Sequence, residues 1–157
     1  MGVTAICGIN WGDEGKGRMV DYFAETADYV IRFQGGNNAG HTVVNDLGKF
    51  ALHLLPSGIF NRDAVNIVGN GAVVNPEALI KEINLVEKTI GEIKNLYISD
   101  RCHIIFPFHI RFDEYEEERL KEAKFGSTKM GIAPVYSDKY FKVGILASDL
   151  VDKDYLY

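Results

Sequence analysis

The segment Gly8-Ile9-Asn10-Trp11-Gly12-Asp13-Glu14-Gly15-Lys16-Gly17-Arg18 combines glycines, two adjacent carboxylates and a lysine between an apolar run and a helical pattern. Phosphates bind in that setting: glycines let backbone N–H groups turn toward an anion, a helix start adds partial positive charge, and Lys16 supplies a full one. The standard phosphate loop places four residues between its first glycine and Gly-Lys, then a Ser or Thr for magnesium. Here six residues intervene and Gly17 follows the lysine, so a metal ligand must come from elsewhere. A bare carboxylate would repel phosphate. Asp13 therefore either bridges to phosphate through a divalent cation or acts as a base on a second substrate beside the phosphates, and the two are compatible. A plainer reading is that Asp13 and Glu14 only complement the helix N-terminus.

A second loop, Gln34 to Thr42, holds three glycines and two asparagines in Gly35–His41 and follows another apolar run, which places it at a strand's end. Sites in open α/β sheets form at such ends. Gly40 offers a carbonyl to a hard cation, Asn38 an amide, and His41 an imidazole. His53, His103 and His109 lie in apolar runs without metal-ligand spacing and read as core histidines. A third small-residue loop runs from Gly126 to Pro134.

The elements that must carry these loops follow from periodicity. Val3–Ile9 reads as a buried strand, with Cys7 in the core and Trp11 anchoring the loop after it. Val20, Phe23 and Ala27 give helical spacing from Gly17, and Tyr29–Phe33 returns as a second buried strand. Val43-Val44 and Phe50–Leu55 flank a hairpin turn at Asn45–Gly48, making the sheet mixed. Val65–Val68 is a strand. Asn75-Pro76-Glu77 then opens a helix carried on by Leu79, Ile83, Val86 and Ile90, and Leu96–Ile98 completes a βαβ unit. Phe108–Lys124 reads as a helix whose charged face, Asp113 and Glu117 included, is solvated. The class is α/β, a mainly parallel sheet flanked by helices with a phosphate-loop-like nucleotide-binding core.

Composition narrows the partners. The 157 residues carry 17 Lys+Arg against 22 Asp+Glu, a net charge of −5, with no basic run longer than two residues. Nucleic acid and anionic membrane surfaces are poor fits. Two cysteines make no disulfide framework, and no apolar stretch suits a signal peptide or a membrane span, so a soluble cytoplasmic protein is expected. The length is that of one domain. An ending at Tyr157 without a polar tail suggests a piece of something larger.

Taken together, the loops resemble adenylosuccinate synthetase, the purine-biosynthesis ligase. Trp-Gly-Asp-Glu-Gly-Lys-Gly at 11–17, Gln-Gly-Gly-Asn-Asn-Ala-Gly-His-Thr at 34–42, Leu-Pro-Ser-Gly at 55–58 and Gly-Asn-Gly at 69–71 stand in that family's order and spacing. Tyr136-Ser137-Asp138-Lys139 after the third loop is similar too. The resemblance covers essentially the whole chain and implies that residues 1–157 are the N-terminal part of the GTP- and IMP-binding domain of a longer chain. It also implies GTP-dependent ligation of IMP and L-aspartate through a 6-phosphoryl-IMP intermediate.

Roles implied by the resemblance are specific. Asp13 takes the proton from N1 of IMP and ligates magnesium with the Gly40 carbonyl; His41 and Lys16 act on the transferring phosphoryl group. Gly12, Asp13, Glu14, Gly15, Lys16, Gly17 and Arg18 with Gly40, His41 and Thr42 hold GTP. Asp13 to Lys16, Asn38, Ala39, Gly40, His41 and Thr128 line the IMP site. Lys142 stands where many members have an arginine that crosses a homodimer interface to the partner's IMP phosphate, and lysine keeps the charge without the bidentate fork. Lys129-Met130 replaces a usual Gly-Arg, and Ala133 a usual glycine. Because the family's chains continue past this length, the chain alone is expected to be inactive. The rival readings are a non-catalytic nucleotide-binding module and a dimerisation or interaction domain.

Overall fold

The computed structural model describes residues 2–10, 14–123, 126–151 and 154. In chain order these form α1 (Lys16–Ala24), β1 (Tyr29–Arg32), β2 (His41–Asn45), β3 (Gly48–Leu52), β4 (Val65–Val68), β5 (Val73–Val74), α2 (Pro76–Ile90), β6 (Leu96–Ile98), β7 (His103–Ile104), α3 (Pro107–Leu120) and α4 (Ile132–Phe141). A parallel sheet in the order β1-β4-β6 is the centre, with Val30 beside Asn66 and Asn66 beside Leu96. The antiparallel pairing expected of a mixed sheet lies outside the central sheet, in the β2–β3 ribbon and a single bridge from His103 to Leu146, and β5 pairs β7 in parallel.

Local chemistry explains the elements that carry the core. Asn75 caps α2 by accepting from Ala78 N–H at 3.1 Å, ahead of Pro76 in the first turn. The stripe Leu79, Ile83 and Val86 then packs with Leu52, Leu54, Leu55, Ile59 and Val68, several of them fully buried. Val20 and Ala24 of α1 pack on Val30 and Ala64.

Three readings of the sequence need correction. Val3–Ile9 forms no strand: Val3 is 98% and Ile9 91% exposed, and Cys7 is exposed rather than core. No strand of the described residues pairs with it, and the apolar run has no ladder to join. β1 is buried on one face only, since Val30 is covered while Tyr29 and Ile31 are 58% and 55% exposed. Finally, the inward face of α3 is polar. His109, Asp113 and Glu117 are buried at four-residue spacing, so part of the run read as solvated surface points into the molecule.

Candidate functional site

The helix that opens after the first loop brings Lys16 and Gly17 to the second loop. At Gly17 an added Cβ would lie 2.8 Å from His41 Cδ2 and 2.9 Å from its Cβ, so the position where a standard phosphate loop has Ser or Thr must stay bare for the imidazole to pack there. The other side of the second loop is equally tight: a Cβ on Gly40 would stand 3.0 Å from His53 Nε2. His53 is therefore no core histidine; it is exposed and leans on Gly40. Lys16 forms an ion pair with Glu14, and the backbone of Gly8 runs beside that pair.

Electrostatics inside the second loop are set by burial. Burial, then the Arg32 charge, then His53 hold the His41 imidazole down to about 4, so the ring is neutral at pH 7. Burial also lowers the Arg32 guanidinium, against the pull of Glu82 and then Tyr136. Arg32 donates to the Gly36 carbonyl at 2.9 Å. Yet Arg32 Nε, Asn37 Oδ1 and His41 Nε2 are buried polar atoms without a hydrogen-bond partner among the described residues. Three such atoms within ten residues of one loop are unusual, because each costs about 1–3 kcal/mol when left unpaired.

The third loop is tied to the second from two sides. The buried Asp113 carboxylate accepts from Ser127 Oγ at 2.6 Å and Gly131 N–H at 2.9 Å, fixing the stretch that carries Thr128, itself exposed. Asn37 Nδ2 approaches Met130 Sδ at 3.9 Å. From α4, Tyr136 accepts from Gly35 N–H at 3.0 Å and donates to the Gly71 carbonyl at 2.8 Å. Lys139 donates to the Asn70 carbonyl at 2.6 Å. His109 takes the Phe106 N–H on Nδ1 at 2.9 Å, which leaves Nε2–H to donate to Asp138 at 3.1 Å. The Tyr-Ser-Asp-Lys stretch is thus a set of ties between glycine turns and helices.

Of the residues singled out by sequence, Lys16, Gly17, Gly40 and His41 are gathered around the second loop. Glu14, Gly15, Arg18, Asn38, Ala39 and Thr42 are exposed on the same two loops or their flanks. Gly12, Asp13 and Trp11, the expected anchor of the first loop, lie outside the described residues. Lys142 is set apart. It caps the far end of α4 with a positive φ of 64°, in a cleft of about 380 Å³ shared with Asn70, Arg101, His103 and Lys139. The ten residues of α4 rise about 15 Å from the third loop to that point.

Sequence reasoning missed Arg32, Glu82 and Asp113. A signal existed for the first two: Arg32 closes an apolar strand, and Glu82 falls within the apolar stripe of α2 between Leu79 and Ile83. A carboxylate in such a stripe needs a partner inside.

Comparison with known proteins gives this geometry a family. A sequence profile described as adenylosuccinate synthetase matches residues 5–157. The chain is 49% identical over its full length to adenylosuccinate synthetase of Dehalococcoides mccartyi, and 48% identical to that of Halothermothrix orenii, in each case spanning 37% of the relative's length. The structure of fully ligated adenylosuccinate synthetase from Plasmodium falciparum aligns with a TM-score of 0.82 at 41% identity, over 93% of this chain and 34% of that one. A cyanophage S-2L succinoaminodeoxyadenylate synthetase shares the fold at a TM-score of 0.67 and 21% identity, over 90% of this chain and 39% of that one. The chain belongs to the adenylosuccinate synthetase family.

Proposed function

We propose that this chain carries the nucleotide-phosphate end of a GTP-dependent ligase that joins IMP and L-aspartate into adenylosuccinate in purine biosynthesis. The observation that carries the reading is that Arg32 Nε, Asn37 Oδ1 and His41 Nε2, in or just before the loop that α1 also reaches, are buried without partners among the described residues. A polar ligand seated in that loop gives such atoms partners.

In this reading, Asp13 accepts the proton from N1 of IMP, the 6-oxygen attacks the γ-phosphorus of GTP, and the bond to the β-phosphate oxygen breaks to release GDP. The aspartate amine then displaces phosphate from C6 of the 6-phosphoryl-IMP. His41, neutral at physiological pH, donates a hydrogen bond to the transferring phosphoryl group without surrendering its proton. Lys16 lies at the helix start, where its charge offsets that of the phosphates.

The Asp13 carboxylate and Gly40 carbonyl would supply an oxygen-only donor set, a chemistry that suits magnesium, and no cluster of three His, Cys, Asp or Glu gathers among the described residues. Few protein oxygens with phosphate and water completing the shell is the ordinary habit of that ion. When bound, it neutralises charge on the β- and γ-phosphate oxygens.

Glu14, Gly15, Gly17, Arg18 and Thr42 belong to the GTP site, with Asn38, Ala39 and Thr128 to that of IMP. The separation of Lys142 from these loops by the length of α4 supports a contact in trans within a homodimer. Both cysteines are free, which suits a cytoplasmic setting, and no described helix is long and apolar enough to cross a membrane.

Calorimetry and thermal melting with IMP, and with GTP plus magnesium, test the reading. Each nucleotide at 100 times its Kd should stabilise the chain by about 2.7 kcal/mol. No shift with either at millimolar concentration overturns it. With aspartate also present, no adenylosuccinate should form, since the chain spans 37% of its relatives.

A further inference from the structure

Glu82 sits in the apolar stripe of α2, 8% exposed, and belongs to none of the sequence motifs. Its Oε1 accepts from His53 N–H at 2.6 Å and Leu55 N–H at 3.3 Å, and its Oε2 accepts from Leu54 N–H at 2.9 Å. Charge-assisted bonds of this kind are roughly twice as strong as neutral ones. The three consecutive amides belong to the segment that leaves β3 and presents His53. The imidazole of His53 in turn stands against Gly40.

The same carboxylate reaches the loop by a second route. Arg32 is a partly buried cation that donates to the Gly36 carbonyl at 2.9 Å, and Glu82 leads the attractions that oppose the effect of burial on its guanidinium. A cation drawn out of water is favoured by a carboxylate within range, so the Glu82 charge helps to hold Arg32 where it meets Gly36. We propose that Glu82 is a positioning residue for the Gln34–Thr42 loop, clamping it near Gly36 through Arg32 and near Gly40 through His53. The inference rests on that loop being the phosphate and nucleotide site argued above.

Glu82→Gln tests it. The substitution keeps shape, removes the charge and turns an NH₂ toward backbone donors. Amide hydrogen exchange should accelerate about tenfold at residues 35–42 and 53–55 while β4 is unchanged, the loss of one charge-assisted bond in each. The Kd for IMP should rise about tenfold. The direction is decisive, because deleting a negative charge beside an anion site would by itself tighten binding. Glu77→Gln, on the exposed start of the same helix, serves as the control and should change neither quantity.

Unchanged loop exchange, tighter IMP binding, or exchange accelerated equally across β4 overturns the proposal. If Glu82→Gln does not fold, His53→Ala, at an exposed side chain, should speed exchange at Gly40 and His41 alone, and no change there overturns it. A wild-type chain that binds no IMP would sink the functional reading, while the exchange comparison would still decide the role of Glu82.

Discussion

The two sides of the central sheet differ sharply. On one, Val30, Asn66 and Val68 face α1, α2 and the segment Leu52–Ile59, where leucine and isoleucine side chains are fully enclosed. On the other, Tyr29, Ile31 and Tyr97 stand more than half exposed. Parallel sheets are normally covered on both faces. The contrast shows that a strand's sequence records the environment it was selected for, while its burial depends on what is present to cover it. The covered side also holds Glu82, and α1, which opens after the first loop, packs there on Val30 and Ala64.

The covered side should carry the stability. Leu54→Ala removes a fully enclosed side chain and should cost about 2–5 kcal/mol in urea unfolding. A cost under about 1 kcal/mol would mean that the core is looser than described. Next in size, Asp113→Ala strands the Ser127 hydroxyl and the Gly131 amide and should cost about 1–3 kcal/mol. Its readout is local: exchange protection should fall at residues 126–131, and a loss spread evenly over the chain would deny Asp113 its anchoring role.

Most strands and α2 could be read from sequence because their signals are local. The apolar run at Val65–Val68 and the cap at Asn75 need no knowledge of distant residues. The glycine loops were legible for the same reason. Tertiary matters were not. Whether Ile31 is covered depends on a neighbour rather than on its own run, and Val3–Ile9 reads as a strand from apolar content that has no partner here. Asp113 and Glu117 match a charged helix face until the Ser127–Gly131 turn folds back over one of them. Asp13, the implied base, falls outside the described residues. The imidazole of His41 could be identified as titratable, but its low pKa comes from burial first and then from Arg32 and His53, all of which only the fold supplies.

That low pKa gives a pH test of the covered side. His41 binds its proton near 6.5 when unfolded and near 4 when folded, so the unfolded state takes up more protons between those values. Stability is therefore full above pH 6.5 and falls as the pH drops toward 4, by on the order of 1 kcal/mol between neutrality and pH 5 after allowance for partial exposure. His103, also held low by burial first and then by Lys139, acts in the same direction. His41→Asn should flatten most of the slope. A slope unchanged in that variant would place the burden on His103 instead.

The uncovered side should respond least. Ile31→Thr keeps a β-branched side chain on an exposed face, so the strand loses little conformational preference and no enclosed contact. Unfolding should change by no more than about 0.5 kcal/mol. Exposed apolar area should fall, however, and with it the fluorescence of a hydrophobic dye bound to the chain, further still when Tyr97→Ser is added on the same row, across Ile67. A loss of 2 kcal/mol or more, the scale expected for an enclosed residue, would show that this face is covered in solution and that the two sides are alike.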